Sequence, residues 1–170
     1  TAIGIFPDVG ASYFLSRLPG ALGLYWGMTG ARISPGDAMH SGLGTHFVPA
    51  LTGDDLAREL AKRPDVEPAE CVALLAEQAP ESEAASRRDL IDEAFGAGSV
   101  DEILGLLARS DSSWAGETRG TLESLSRQSL DITHALLAWA EGRSLHDCLG
   151  AELVLADEVN RAPAKTQAAL

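Results

Sequence analysis

Thr1-Ala2-Ile3-Gly4-Ile5-Phe6-Pro7-Asp8-Val9-Gly10 runs directly into Ala11-Ser12-Tyr13-Phe14-Leu15-Ser16-Arg17-Leu18-Pro19-Gly20. Ala2 to Phe6 is apolar and reads as a short extended piece, which Pro7 and Gly10 break before a helix begins near Gly10. Asp8 is the only acidic residue of the stretch. Phe6-Pro7 on one side and Val9-Gly10 on the other give its carboxylate apolar walls, and glycine lets a ligand approach the backbone. Such a group suits proton transfer or a hydrogen bond to a substrate. Asp is also a favoured helix cap, so spacing alone leaves two readings open: a functional carboxylate, or a cap on the helix near Gly10.

Outward from this stretch, turn signals recur at Pro19-Gly20 and Gly30. Ser34-Pro35 predicts a capped helix with proline at its first position, and Thr45 to Val48 a second extended piece. From Thr52 onward the pattern becomes successive amphipathic helices. Thr52 precedes Leu56 and Leu60, with Pro64 as the stop. Ser82 precedes Leu90, Ile91 and Phe95, with Gly96 as the stop. Ser99 with Glu102, and Ser144 with Asp147, have the spacing of reciprocal caps. Leu145, Cys148, Leu149 and Leu153 fall on one face, which predicts a packing helix rather than a catalytic segment. Trp26, Trp114 and Trp139 lie in helical patterns and are assigned to the core. The fold class expected is mostly α with a few short strands.

A chain of 170 residues that is 45% hydrophobic fits one ordinary domain or the larger part of one. The net charge of -12, with only two lysines and no basic run, excludes nucleic acid and an anionic membrane surface as partners. No apolar run approaches the roughly 20 residues needed to span a bilayer. The chain lacks an initiating methionine and a basic amino-terminal region, so it reads as soluble and as starting inside something longer. Cys71 and Cys148 match no metal spacing and read as reduced thiols of a cytoplasmic protein. His40, His46, His134 and His146 show no ligand spacing either, so no metal is expected.

The segment Ala2 to Gly20 resembles the conserved block of the 3-hydroxyisobutyryl-CoA hydrolases, a branch of the crotonase superfamily of enoyl-CoA hydratases and isomerases. The likeness rests on Ile3-Gly4, Phe6-Pro7-Asp8-Val9-Gly10 and Tyr13-Phe14-Leu15-Ser16-Arg17-Leu18. Leu22-Gly23-Leu24-Tyr25, Thr29-Gly30-Ala31-Arg32-Ile33, Asp37-Ala38 and Gly42 to Pro49 continue it in a form similar to crotonases generally. Phe-Pro-Asp in place of the Pro-Gly-Ala of enoyl-CoA hydratases, and the long helical tail, favour the hydrolase branch. Ser99 to Ile103, Trp114-Ala115, Ser129-Leu130, Thr133 and Ser144 to Leu149 keep that branch's order, so the resemblance covers roughly Thr1 to Leu153. It departs at Ser126-Arg127-Gln128-Ser129, a helix entry without chemistry.

The resemblance implies an incomplete crotonase-like α/β spiral over 1–50, a helical carboxy-terminal region over 51–153 and a divergent or foreign tail over 154–170. It implies hydrolysis of 3-hydroxyisobutyryl-CoA, an intermediate of valine breakdown, to 3-hydroxyisobutyrate and CoA. Coenzyme A belongs to the substrate, and no cofactor is implied. Asp8 is the catalytic candidate, with Phe6 and Gly10 beside it in substrate binding. In the family a catalytic glutamate directly precedes the residue matching Thr1, and the loops of the oxyanion hole lie earlier. Each such donor is worth about 3 kcal/mol or more, so the chain alone is expected to be inactive. Two alternatives stay open: an enoyl-CoA hydratase or dienoyl-CoA isomerase, and a non-catalytic helical interaction module. Apolar edges at Ala2 to Phe6 and Thr45 to Val48 predict association, including a homo-oligomer. Finally, Leu153 to Gln167 resembles the Walker B segment of MoxR-type AAA+ ATPases, an apolar strand ending in Asp157-Glu158. The chain has no Gly-rich phosphate loop, so ATPase function is not expected. A divergent helix end or a junction with an unrelated segment stays open, and a foreign tail would lack packing after Leu155.

Overall fold

The computed structural model describes residues 5–49 and 53–161, with side chains through residue 158. Among the described residues it is mostly helical, with no extended strand. The helices are α1 (Ala11–Leu15), α2 (Leu22–Thr29), α3 (Pro35–Ser41), α4 (Gly53–Ala61), α5 (Pro68–Leu75) and α6 (Glu83–Ser86). They continue with α7 (Arg88–Phe95), α8 (Val100–Arg109), α9 (Ser113–Ser124), α10 (Arg127–Ala140) and α11 (Leu145–Arg161). The mostly α expectation holds. Of the expected first strand, residues 2–4 and the later cap Thr52 lie outside the described residues, and Ile5 and Phe6 take no strand conformation. The second, Thr45 to Val48, reduces to one antiparallel bridge, Phe47 with Glu77. A strand needs a ladder to hold its N–H and C=O groups, and here one bond, Glu77 N–H to Phe47 O at 2.8 Å, is formed.

The chain divides into two compact units. The larger comprises residues 1–32 and 87–170, the smaller residues 33–86. In the larger unit α2 is apolar on every side and is accordingly buried, packing on α1, α7, α9 and α10. Leu22, Met28, Ile91, Ile103 and Phe95 form its best-buried apolar positions. The Tyr25 ring meets the edge of Phe95 at 5.3 Å and Trp114 at 5.7 Å between centroids. Gly23 allows the closest approach: a Cβ there would lie 1.8 Å from the Leu15 carbonyl oxygen. Trp26 and Trp114 sit in this core as expected. Trp139 does not: it is 39% exposed, with the Arg143 guanidinium 4.8 Å from its ring centre.

The smaller unit is organised around Asp37. Ser34 caps α3, Pro35 occupies its first turn, and Asp37 returns the bond to the Ser34 N–H at 3.1 Å. The other carboxylate oxygen of Asp37 accepts from the Ser82 hydroxyl at 2.7 Å and the Ala84 N–H at 3.0 Å, so one side chain serves the starts of α3 and α6. Burial pushes the Asp37 carboxyl up, but the hydrogen bonds from Ala84, Ser82 and Ser34 together outweigh it and hold it below its ordinary value near 3.8. The helix expected to run from Ser82 to Phe95 is broken at Arg87, which leaves α6 and α7 as separate elements.

The tail differs from its local likeness. Leu153 to Glu158 continues α11, so no apolar strand ends in Asp157-Glu158, and the Walker B resemblance finds no support. Residues 162–170 lie outside the described residues. The expected apolar face of α11 is also corrected. Leu145, Leu149 and Leu153 are 47%, 42% and 71% exposed, while Cys148 and Glu152, one turn apart, are the buried pair. Cys71 and Cys148 are both free and buried.

Two outcomes follow for the fold. Gly23→Ala forces a methyl group into the Leu15 carbonyl and is expected to lower stability by about 1–3 kcal/mol, read as a lower melting temperature by circular dichroism. Asp37→Asn is expected to cost about 1–3 kcal/mol at neutral pH. Because the folded carboxyl titrates below its unfolded value, its contribution is complete above about pH 4 and is lost as pH falls through the folded value. Melting curves of the two forms should therefore converge in acid, and a gap that widens there would contradict the charge assignment.

Candidate functional site

Phe6 anchors the amino-terminal segment at 5% exposure, and the chain then turns sharply into α1. The Asp8 carbonyl accepts the Ala11 N–H at 2.9 Å. Val9 takes φ 55 and Gly10 φ 86, two successive left-handed residues, the first of them β-branched. That conformation costs a β-branched residue about 1–3 kcal/mol, so the surroundings must hold it. Gly10, where glycine is the residue suited to its φ, is the cap position of α1 and has no side chain to offer the helix N-terminus.

The missing cap comes from the far end of the chain. The Glu152 carboxylate on α11 accepts the Gly10 N–H at 2.6 Å and the Ser12 N–H at 2.9 Å. The Ser12 hydroxyl also donates to it. Glu152 is 2% exposed and Ser12 fully buried, so the pair is withdrawn from water with its polar atoms engaged. Gly10 is buried beneath the same helix, where a Cβ would stand 3.5 Å from Leu145 and 3.7 Å from Leu149.

The structure departs from the cap reading of Asp8 and from the apolar walls expected around it. Its side chain does not cap α1, because Glu152 does. Nor do its neighbours wall it in: Asp8 is exposed and Val9 is 86% exposed, beside a partly exposed apolar rim of Phe14, Leu145 and Leu149. Among the described residues no hydrogen bond or ion pair engages its carboxylate. The three candidates thus share one short turn, with Phe6 as anchor, Gly10 as pivot and Asp8 presented to solvent.

The pattern of α11 predicts packing alone and does not single out Glu152. The readable signal was a carboxylate four residues after Cys148 and three after Leu149, inside an otherwise apolar stripe. The caps were legible: Ser99 accepts the Glu102 N–H at 3.3 Å, although Glu102 bonds the Gly98 N–H rather than that of Ser99. Ser144 and Asp147 bond reciprocally, at 3.2 and 3.3 Å, and the Ser144 hydroxyl and N–H hold the Asp147 carboxyl below its ordinary range. His134 bonds the Ala97 carbonyl at 3.2 Å and His46 the Thr45 hydroxyl at 3.1 Å.

Comparison with known proteins follows the same lines. The family model described as enoyl-CoA hydratase/isomerase matches residues 1–166. The chain is 40% identical over 152 residues to 3-hydroxyisobutyryl-CoA hydrolase 1 of Arabidopsis thaliana, covering 84% of this chain and 40% of that protein. It is 38% identical over 160 residues to the mitochondrial 3-hydroxyisobutyryl-CoA hydrolase of Xenopus tropicalis, covering 89% and 42%. Among solved structures it is similar to a carnitinyl-CoA dehydratase from Mycobacterium thermoresistibile, with TM-score 0.81 and 34% identity over 88% of this chain and 44% of that one. An enoyl-CoA hydratase from Rhodobacter sphaeroides 2.4.1 gives TM-score 0.72 and 32% identity over 89% and 43%. The chain therefore belongs to the enoyl-CoA hydratase/isomerase family, and it spans about two fifths of the length of the curated relatives it matches.

Since the Asp8 side chain takes no part in holding α1, Asp8→Asn is expected to leave stability within about 0.5 kcal/mol of the parent. A thermal melt lowered well beyond that would return Asp8 to a structural role.

Proposed function

We propose that the protein to which this chain belongs hydrolyses an acyl-CoA thioester, and that the acyl group is 3-hydroxyisobutyryl. The observation that carries the proposal is a carboxylate left unused by the fold: Asp8 stands in Phe6-Pro7-Asp8-Val9-Gly10, exposed and unbonded, while another acid supplies the cap. The names of the relatives support the substrate. Water adds to the thioester carbonyl, or to the anhydride formed when a carboxylate attacks it first; the carbon–sulfur bond breaks, and 3-hydroxyisobutyrate and coenzyme A leave. In this scheme a glutamate outside the chain activates the water or attacks, and Asp8 bonds the 3-hydroxyl or passes a proton to the departing thiolate. Phe6 and Gly10 set the turn from which Asp8 acts. Coenzyme A enters as substrate, and no cofactor is required.

The same reading makes residues 1–50 a remnant of the crotonase core, 51–153 a helical region and 154–170 a divergent tail. The cytoplasm is proposed as the location, on the two free thiols. Among the described residues no helix is long and apolar enough to cross a membrane. Exposed Phe14, Leu145 and Leu149 support association, with a second copy or with the rest of the same protein.

A second reading, hydration or dehydration of an enoyl-CoA, is favoured by the names of the two solved structures. One assay separates them. The parent protein with 3-hydroxyisobutyryl-CoA should release free thiol, measured with a thiol reagent, while the isolated chain releases none above background. A change in enoyl absorbance without thiol would establish the second reading instead. In the parent, Asp8→Asn should lower kcat roughly 100-fold, the scale of a lost general acid or base. Retention of most of the rate would remove Asp8 from the mechanism.

A further inference from the structure

We infer that Glu152 is a positioning residue, whose carboxylate fixes the 8–10 turn and so the direction in which Asp8 meets the substrate. The inference rests on the functional reading of Asp8. Glu152 does not reach the reacting atoms itself: it is 2% exposed, and its oxygens are taken by the Gly10 N–H, the Ser12 N–H and the Ser12 hydroxyl. Its influence passes through what those bonds hold.

What they hold is a turn that would otherwise relax. Val9 at φ 55 is, among the described residues, the one non-glycine in the left-handed region, and it adjoins Gly10 at φ 86. Three other helices, α3, α8 and α10, open with a local serine, at Ser34, Ser99 and Ser126. At position 10 the left-handed backbone calls for glycine, and glycine brings no cap. A carboxylate on α11 supplies it from 142 residues away. A buried carboxylate is a costly way to close a helix unless all its lone pairs are met, and here it meets three donors converging on one turn. With that clamp loosened, the peptide between Asp8 and Val9 is free to rotate toward ordinary φ. Asp8, whose carboxylate has no bond of its own among the described residues, then loses its direction.

The test is a double-mutant cycle in the full-length parent enzyme, with thiol release from 3-hydroxyisobutyryl-CoA and amide exchange as readouts. Glu152→Gln keeps the size but turns an NH₂ group toward a row of donors, so at least one loses its acceptor. Exchange at the Gly10 and Ser12 amides should rise, and kcat should fall about 10- to 100-fold with KM changed by less than about twofold. In the Asp8→Asn background the same substitution should cost less than about twofold, because the group being positioned is already disabled. Equal losses in both backgrounds would make Glu152 merely structural and overturn the inference. Unchanged exchange at both amides would overturn the clamp itself. Should Glu152→Gln fail to fold, Ser12→Ala removes one donor and must show the same dependence on Asp8, its additivity counting equally against the proposal. A parent that releases no thiol, or that keeps its rate in Asp8→Asn, instead sinks the functional reading, and the catalytic claim for Glu152 with it.

Discussion

Helix starts that cannot cap themselves constrain the larger unit most. Gly10 and Ala21 stand at the cap positions of α1 and α2, and neither has a side-chain acceptor. An unsatisfied N–H in such a place costs about 1–3 kcal/mol when buried, so acceptors must come from elsewhere. Glu152 reaches the first start and Asp92 of α7 the second, accepting the Ala21 N–H at 2.8 Å. Asp92 in turn holds Arg88 at 2.6 Å, and a Cβ on Gly20 would collide with both side chains. Residues 5–32 are thus closed at two points by carboxylates from helices far along the chain.

These bonds act together with the apolar core. Leu22, Met28, Ile91 and Phe95 bring α2 and α7 together, and that packing places Asp92 beside the Ala21 amide. Burial supplies most of the free energy and is indifferent to direction, whereas a carboxylate between two amides at 2.6 and 2.9 Å tolerates little sliding. Asp37 does the same in the smaller unit, where its carboxylate joins the starts of α3 and α6. A common device recurs: hydrophobic packing sets the pairings, and an acid at a helix start sets the register.

The division between legible and illegible features has the same cause. Ser34-Pro35, Ser99 and Ser144 are readable because a local cap needs only residues within one turn. Asp8, Phe6 and Gly10 were readable as a group because they lie in one short motif. For Glu152 the sequence shows only a carboxylate within an apolar stripe, and what it bonds is not readable, since its three donors are 140 and 142 residues away. The strand expected at Thr45 to Val48 failed for a related reason: an extended segment becomes a strand only with a partner ladder, and Glu77 supplies a single rung. Trp139 and the leucines of α11 follow a helical period correctly, but a period shows only that a face is apolar, not that something covers it.

On the proposed function, the two acids at the turn divide the work in a way their chemistry requires. A carboxylate that stabilises backbone amides spends its lone pairs on them and is withdrawn from solvent, which makes it useless as a proton carrier. A carboxylate that serves a substrate must keep its lone pairs open and still be held in one direction. One side chain cannot do both, and Asp8 could have met the first demand alone, because Asp is a good cap and stands two residues before the cap position. The left-handed pair Val9-Gly10 prevents this by turning the α1 N-terminus toward α11, where Glu152 waits, and away from Asp8. On the proposed function, the backbone conformation that looks like a local cost is what separates the structural acid Glu152 from the acid proposed to meet the substrate, and a substitution that relaxed it would confound the two roles without changing either side chain.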